Sequence, residues 1–542
     1  MQMKVLKNNM ERCLLLLFLI SFALTVRGQE IVQINTTVTV STVPKERVGI
    51  NVNYLTDDNK TTKKALEELE VKFLRFPGGE KSDNYIWGQH PFDKANPTLA
   101  LTGNCHWPNS DSRYTYPDFK TLKPNIMDFD EYMVLVNKTG AEPFIVVNAD
   151  SHHNTGSSCG GIPLKDSLLT VAREWVRYAN VVKKHNIKFW MIGNESFKSA
   201  AYAGKVTAEQ YRADVIDFAK ALKSIDPNIK IVVNGDTQEW WQTVLSDTVA
   251  TKLIDYLGIS AYPIYNWESG YMHYNNTVVD FTKAVRIANQ AINQFVKNPE
   301  DKERIKIIVT ETNALDFGNA GWPNTNDIGH ALVLFDIIGQ HLLAPKVEYT
   351  FYWNTRWIDN KNNNRGYNAI NQEGHLLANG KALKIWNKFL LESMVAASNT
   401  QHVVSYATRN KRQLTVFLLN KDTLEHKVKL EIYGFESQGN LGRYLLTGTA
   451  LTDTIPQITV APNIMAIPKT QNRHYNVSLL PYSITVLRYR AKAASSILTL
   501  SIETWALLVL FLTTIYQYGI RRHNHKSLRG NKNRKINKLT AT

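Results

Sequence analysis

Cysteine is scarce in this chain, with three in 542 residues. Cys13 falls in an N-terminal leader, so one bridge, Cys105 to Cys159, is all the remainder can form. An oxidising compartment favours that bridge. No spacing of His and Cys reads as a metal site, and no Gly-rich phosphate loop is present. Nucleotide-dependent chemistry is thereby excluded, and neither a metal nor another cofactor is expected. No internal repeat or long low-complexity segment occurs, so the chain is not a repeat array.

Acidic residues are missing altogether from positions 521–542. That tail carries Arg521, Arg522, Lys526, Arg529, Lys532, Arg534, Lys535 and Lys538. The apolar stretch before it, 497–520, is long enough to span a bilayer with some tilt. At the other end, Lys4, Lys7 and Arg12 precede the short apolar stretch 14–24 and small residues near Gly28, the pattern of a secretory signal peptide. These ends predict a single-pass type I membrane protein of the secretory pathway, with a basic cytoplasmic tail. They also hold most of the formal net charge of +15. Nucleic-acid binding is therefore a poor inference. Sequons at Asn35, Asn59, Asn137, Asn275 and Asn476 predict a glycosylated surface.

Between the ends, apolar β-rich runs alternate with helical patterns. Eight such runs occur, at 48–54, 73–76, 144–148, 189–194, 231–234, 256–261, 307–310 and 349–353. Leu168, Val171, Ala172, Trp175, Ala179 and Val182 fall on one helical face. Thr207 and Gln210 have the spacing of a capping box. Eight strand-helix units predict an α/β fold of the (β/α)8 TIM-barrel type over 46–393. The segment from Gly78 to Asp128 is a loop insertion, and Cys105 and Cys159 would tie it to the loop after the third strand. From 394 to 490 short β-like runs separated by turns predict an appended β-sandwich, which an N-terminal strand in 29–45 would complete. A linker, 491–496, a transmembrane helix, 497–520, and the tail follow.

Two of the barrel runs end in glutamate: Met191-Ile192-Gly193-Asn194-Glu195 and Val309-Thr310-Glu311. A carboxylate there sits at the C-terminal mouth of the barrel, where such folds do chemistry. Barrel closure would bring the fourth and seventh strand ends to one pocket. Two carboxyls facing one pocket are the requirement of glycoside hydrolysis.

Gly193-Asn194-Glu195 and Glu311 resemble the acid/base and nucleophile signatures of clan A retaining glycoside hydrolases. Leu74-Arg75-Phe76-Pro77-Gly78-Gly79, Ile259-Ser260-Ala261-Tyr262, Tyr352-Trp353-Asn354 and Leu480-Pro481-Tyr482-Ser483-Ile484 resemble segments of the α-L-arabinofuranosidase and heparanase-like families. The resemblance implies Glu195 as general acid/base and Glu311 as nucleophile. It implies that Asn194 bonds the sugar's 2-hydroxyl, that Arg75 and Tyr262 flank Glu311, and that Trp353 floors the sugar site. Glu195 is followed by Ser196, where the heparanase-like pattern has proline. The expected partner is an oligo- or polysaccharide. A transglycosylase with the same glutamates and a non-catalytic glycan receptor are the alternatives.

Other residues are read more plainly. Glu80, Glu239 and Glu268 belong to the rim or surface. His152 and His153 follow the third strand and touch either substrate or their own loop. Trp87, Trp107, Trp240, Trp241, Trp267, Trp322 and Trp357 fall in strand-to-helix loops, where several would line an extended groove.

Overall fold

Eight parallel strands close into a barrel: Val48–Asn51, Phe73–Phe76, Glu142–Val147, Phe189–Ile192, Lys230–Asn234, Tyr256–Ala261, Lys306–Thr312 and Val347–Tyr352. The eighth returns to the first, with Thr350 opposite Val48. The computed structural model describes residues 30–42, 44, 47–52, 60–100, 126–153, 164–198, 206–264, 267, 269–315, 322–356, 366–461 and 474–492.

The strands are apolar on both faces because both are covered. Alternate residues point inward, and Phe73, Phe144, Phe189, Tyr256, Tyr349 and Phe351 meet there with Val146, Met191, Val232 and Ile308. Phe73 lies 4.9–5.1 Å from Phe189, Tyr349 and Phe351, ring centre to ring centre. Truncating one such ring costs about 3–5 kcal/mol, so this aromatic plug is a major anchor of the barrel. Room for it comes from Gly49, where a Cβ would lie 2.4 Å from the Phe351 ring. The outward residues, among them Leu74, Phe76, Ile145, Trp190 and Ile192, pack in a second core that includes helix side chains.

Local sequence sets the helices. Ala208–Ile225 starts at Thr207, whose hydroxyl accepts from the Gln210 N–H at 3.2 Å while the Gln210 side chain accepts from the Thr207 N–H at 2.9 Å. Lys165–Val176 continues as a π-helical turn over Arg177–Val182. The wider turn rotates the apolar stripe. Leu168, Ala172, Trp175 and Ala179 are buried, but Val182 is 51% exposed.

The second layer is a nine-stranded sheet that includes Glu30–Thr42 and the strands from Ser393–Ala397 to Ser483–Ala491. Glu30–Thr42 pairs antiparallel with Ser393–Ala397 and parallel with His426–Tyr433. The sheet folds over its own core, where Val32, Leu414, Val416, Leu418, Leu430 and Val477 meet. Period-two alternation splits the strand Gln413–Asn420 between two cores. Leu414, Val416 and Leu418 face the sandwich interior, while Phe417 and Leu419 join the barrel's outer core. Phe417 packs 4.7 Å from Trp386 of the helix Ala378–Phe389.

Three expectations need correction. No helix among the described residues is long and apolar enough to cross a membrane. Among the described residues the fold is a barrel with a sandwich-like sheet and shows no membrane-spanning helix; positions 497–520, where that helix was expected, lie outside the described residues, as do the expected leader and tail. The Asn275 sequon is buried in the short helix Tyr271–Asn276, its Nδ2 donating to Asn276 Oδ1 at 3.1 Å. The strand Ser483–Ala491 runs into the start of the expected linker. Asn137 and Asn476 are exposed and Asn35 is half-buried. Asn59, Cys105 and Cys159 lie outside the described residues.

Candidate active site

Inward alternation on the second strand places Arg75 directly above Phe73. Its guanidinium carbon sits 5.8 Å from the centre of the Phe144 ring, and none of its side chain is exposed. Nη1 donates to Asn51 Oδ1 at 2.7 Å and to Glu311 Oε1 at 3.1 Å. Nη2 donates to Asn194 Oδ1 at 2.5 Å and approaches Met191 Sδ at 3.4 Å. Asn51 is held in turn by the carbonyls of Thr310 and Tyr352, at 2.9 and 3.1 Å from its Nδ2.

Glu311 reaches this guanidinium through an irregularity in the seventh strand. Ile308 points into the plug, so strict alternation would turn Thr310 and Thr312 inward and Glu311 outward. The register slips between Val309 and Glu311 against the sixth strand, and between Val309 and Thr312 against the eighth. Such a bulge resets the phase of the strand. Thr310 Oγ1 donates to the Ile259 carbonyl at 3.1 Å. Tyr262, just past the sixth strand, donates its hydroxyl to Glu311 Oε2 at 2.6 Å. The two carboxylate oxygens therefore have separate donors. Burial and the neighbouring Glu195 carboxylate push the Glu311 carboxyl up to about 7, against the pull of Arg75, Tyr262 and Lys198.

Glu195 lies in the turn beyond the fourth strand. Gly193 and Glu195 both have left-handed backbones, φ 65° and 46°. For a residue with a Cβ this costs about 1–2 kcal/mol, so the surroundings must hold the turn. A Cβ on Gly193 would come within 2.6 Å of Ser196 Oγ and 2.8 Å of Asp150 Oδ1. The Asn194 N–H donates to Asp83 Oδ1 at 3.2 Å and the Ser196 N–H to Asn234 Oδ1 at 2.8 Å. Ser196 Oγ donates to Asp150 Oδ2 at 2.6 Å. Burial pushes Asp150 up to about 7, and burial with the Asp150 charge raises Asp83 well above the carboxylate range. Glu195 Oε1 accepts from Lys198 Nζ at 2.6 Å; the lysine side chain is 48% exposed and the glutamate 6%.

Trp353 follows the eighth strand, its N–H donating to the Thr312 carbonyl at 2.9 Å. Its ring lies on Gly79, where a Cβ would come within 2.1 Å.

Arg75, Asn194, Glu195, Tyr262, Glu311 and Trp353 are thus gathered at the C-terminal mouth of the barrel. The histidines belong elsewhere. His153 and His152 face Asp214 at 2.6 and 3.5 Å, with Lys165 at 2.8 Å. Burial works the other way, yet hydrogen bonds from His152, His153 and Lys165 hold Asp214 well below the usual carboxylate range. The tryptophan groove is also corrected. Trp87 and Trp241 are fully buried, and Trp240, Trp267 and Trp322 are nearly so. Trp87 stacks on Trp175 at 5.9 Å and Trp267 on Trp322 at 5.8 Å. Trp107, Trp357 and Glu268 lie outside the described residues, while Glu80 and Glu239 are exposed.

Asn51, Asp83, Asp150, Lys198 and Asn234 were not singled out by the sequence reading. Asn234 carried a usable signal, because it ends an apolar barrel run, and Asp150 follows the third such run, 144–148, by two positions.

A family model described as the alpha-L-arabinofuranosidase 1 domain matches residues 65–283. A probable alpha-L-arabinofuranosidase C of Aspergillus fumigatus is 27% identical over 303 residues, covering 49% of this chain and 52% of that protein. An intracellular exo-alpha-(1->5)-L-arabinofuranosidase of Acetivibrio thermocellus is 27% identical over 207 residues, 36% of this chain and 37% of that protein. The chain spans about half the length of the first of these relatives or less. The crystal structure of an alpha-L-arabinofuranosidase from Thermotoga maritima superposes with a TM-score of 0.63 at 19% identity, over 85% of this chain and 99% of that one. In sequence and fold, the chain resembles the clan A glycoside hydrolases, and among them the α-L-arabinofuranosidases.

Proposed function

We propose that this chain is a retaining glycoside hydrolase that cleaves extracellular or cell-surface glycans by double displacement. Glu311 is the nucleophile and Glu195 the general acid and base. One observation carries the reading. Glu311 is buried, its two oxygens are held separately by Arg75 and Tyr262, and a second carboxylate raises its proton affinity. A buried carboxyl raised by a second carboxylate beside it holds its proton up to near neutral pH.

The position of that proton follows from which cation can leave. Arg75 is locked by Asn51, Asn194 and Glu311 and has no exposure. Lys198 is half-exposed on the turn. A sugar entering the pocket displaces the lysine and not the arginine. Glu311 then stays ionised, and Glu195 takes the proton. Glu311 attacks the anomeric carbon as the glycosidic bond breaks, and the Glu195 proton passes to the leaving oxygen. Glu195 next accepts a proton from water, which displaces Glu311 from the sugar. Asn194 Nδ2 is buried and makes no hydrogen bond within the protein, which suits a donor kept for a sugar hydroxyl. Trp353, 9% exposed beside Gly79, offers an apolar surface to the ring.

The relatives are named for L-arabinofuranose, and an α-L-arabinofuranoside is the first substrate to test. Secretion belongs to the proposal, since the leader over 1–28 and the exposed sequon residues Asn137 and Asn476 are consistent with it. The test is a screen of the purified chain on aryl arabinofuranosides, glucuronides, xylosides and glucosides, with the product anomer read by NMR. Release of the sugar with retained configuration is expected. Inverted product, or no turnover of any glycan, overturns the reading; mostly transferred sugar in the presence of an acceptor makes the chain a transglycosylase.

A further inference from the structure

One end of the sandwich gathers chemistry that the barrel site does not use. His402 sits in the turn before the strand Val403–Arg409. Asp422 follows the strand Gln413–Asn420, and His426 begins the strand His426–Tyr433. His426 Nε2 lies 2.7 Å from Asp422 Oδ2, and His402 Nδ1 lies 3.6 Å from the same oxygen. The rings of His402 and His426 are 5.1 Å apart and inclined by 29°. Three donor atoms therefore lie together, from the turn at His402, the segment after Asn420 and the start of the strand at His426.

The turns are fixed by the backbone. The Lys421 N–H donates to the His402 carbonyl at 3.1 Å, and the Tyr482 N–H donates to the Asp422 carbonyl at 3.1 Å. A surrounding shell is also present. His426 Nδ1 is 2.6 Å from Glu30 Oε1, and the second oxygen of Glu30 accepts from the Thr400 hydroxyl. Asp422 Oδ1 accepts from the Thr423 N–H at 2.6 Å. A carboxylate on Nδ1–H leaves the Nε2 lone pair free, the arrangement that orients histidine toward a metal.

A charged His426 clamped between Glu30 and Asp422 is the alternative, and it accounts for two of the three donors. It leaves His402 unexplained, because His402 Nδ1 is buried and makes no hydrogen bond. We propose that His402 Nδ1, His426 Nε2 and Asp422 Oδ2 bind a divalent transition metal of the zinc class, with water in the fourth position. Two imidazoles and one carboxylate suit zinc, whereas calcium and magnesium prefer oxygen donors alone. The histidine at 402 is 21% exposed against 4% and 8% for its partners, so entry is from its side. The metal would join the N-terminal strand at Glu30 to three later segments of the sheet and so act structurally.

The test uses the full, untagged chain, stripped with a chelator, dialysed against Zn2+ and measured by elemental analysis and thermal unfolding. We expect one zinc per chain, a Tm raised by about 2 °C or more, and no such rise with Ca2+ or Mg2+. His402→Gln removes the most exposed of the three ligands and should abolish retention of zinc while the stripped Tm changes little. Glu30→Gln keeps all three ligands and should weaken zinc affinity about 10–100-fold. Tetrahedral Co2+ absorption in the reloaded protein, lost in His402→Gln, is a readout independent of stability. Failure to retain stoichiometric zinc, or equal retention by His402→Gln, overturns the site and leaves the charged His426 clamp.

Discussion

Lys198 Nζ lies 2.6 Å from Glu195 Oε1, three residues along the same turn. This pair links the proposed acid to the proposed nucleophile, because the lysine is also among the charges that draw the Glu311 carboxyl down. Removing the cation raises Glu311 further. The acid limb of the kcat/KM profile, where Glu311 must ionise, should therefore move to higher pH in Lys198→Met, by up to about one unit. An unmoved limb in the pH profile would separate Lys198 from the catalytic pair.

The two glutamates should fail differently. Glu311→Gln removes the attacking atom and should lower kcat at least 1,000-fold on every substrate. Glu195→Gln removes proton transfer, a loss of about 100- to 10,000-fold, but only where the leaving group needs a proton. Activated aryl glycosides with acidic phenols should lose far less than an oligosaccharide does. Comparing both variants on the two substrate types checks the roles, and equal losses throughout would reverse the assignment.

Much of this site was legible in sequence because it follows strand ends. Arg75, Glu195, Tyr262, Glu311 and Trp353 all sit at or just past the end of an apolar run, and barrel order alone brings such positions together. The bulge at Thr310 was not legible, since nothing in Val309-Thr310-Glu311 marks an extra residue. Asn51 and Asp83 were missed because they act through hydrogen bonds to segments distant in sequence. The tryptophans misled for a related reason: a loop position says nothing about whether a ring turns to solvent or into the core. In the sandwich, the strand Ser393–Ala397 was not singled out, because Met and Ala favour helices and its alternation is short. It forms a strand between Glu30–Thr42 and Val403–Arg409, where tertiary pairing overrides propensity.

Gly79 tests the sugar platform. It has φ +62° and a Cβ there would lie 2.1 Å from the Trp353 ring. Gly79→Ala must therefore move the tryptophan or the loop, at a cost of about 1–3 kcal/mol. With the indole displaced, binding suffers more than chemistry. The expected result is a raised KM with kcat reduced less, alongside a lower Tm. A lowered Tm with unchanged KM would show that Trp353 supports the fold and not the sugar.

Stability and activity should part company at Glu311. Its folded value is about 7, against an ordinary 4.5. Between these values the folded protein keeps a proton that the unfolded chain has released. Stability is therefore greatest below the unfolded value and falls as pH rises from about 4.5 toward 7, at about 1.4 kcal/mol per unit for one isolated group. Above 7 both states are ionised and the loss is complete. Glu311→Gln cannot ionise, and its carbonyl oxygen still accepts from Arg75 or Tyr262. The variant should be inactive yet more stable than the parent above pH 7, by about 2 kcal/mol once coupling to Glu195 is allowed for. The difference should shrink toward zero near pH 4.5. Denaturant unfolding of both proteins across pH 4.5–8 checks this, and a variant uniformly less stable would mean that Arg75 outweighs burial at this carboxylate.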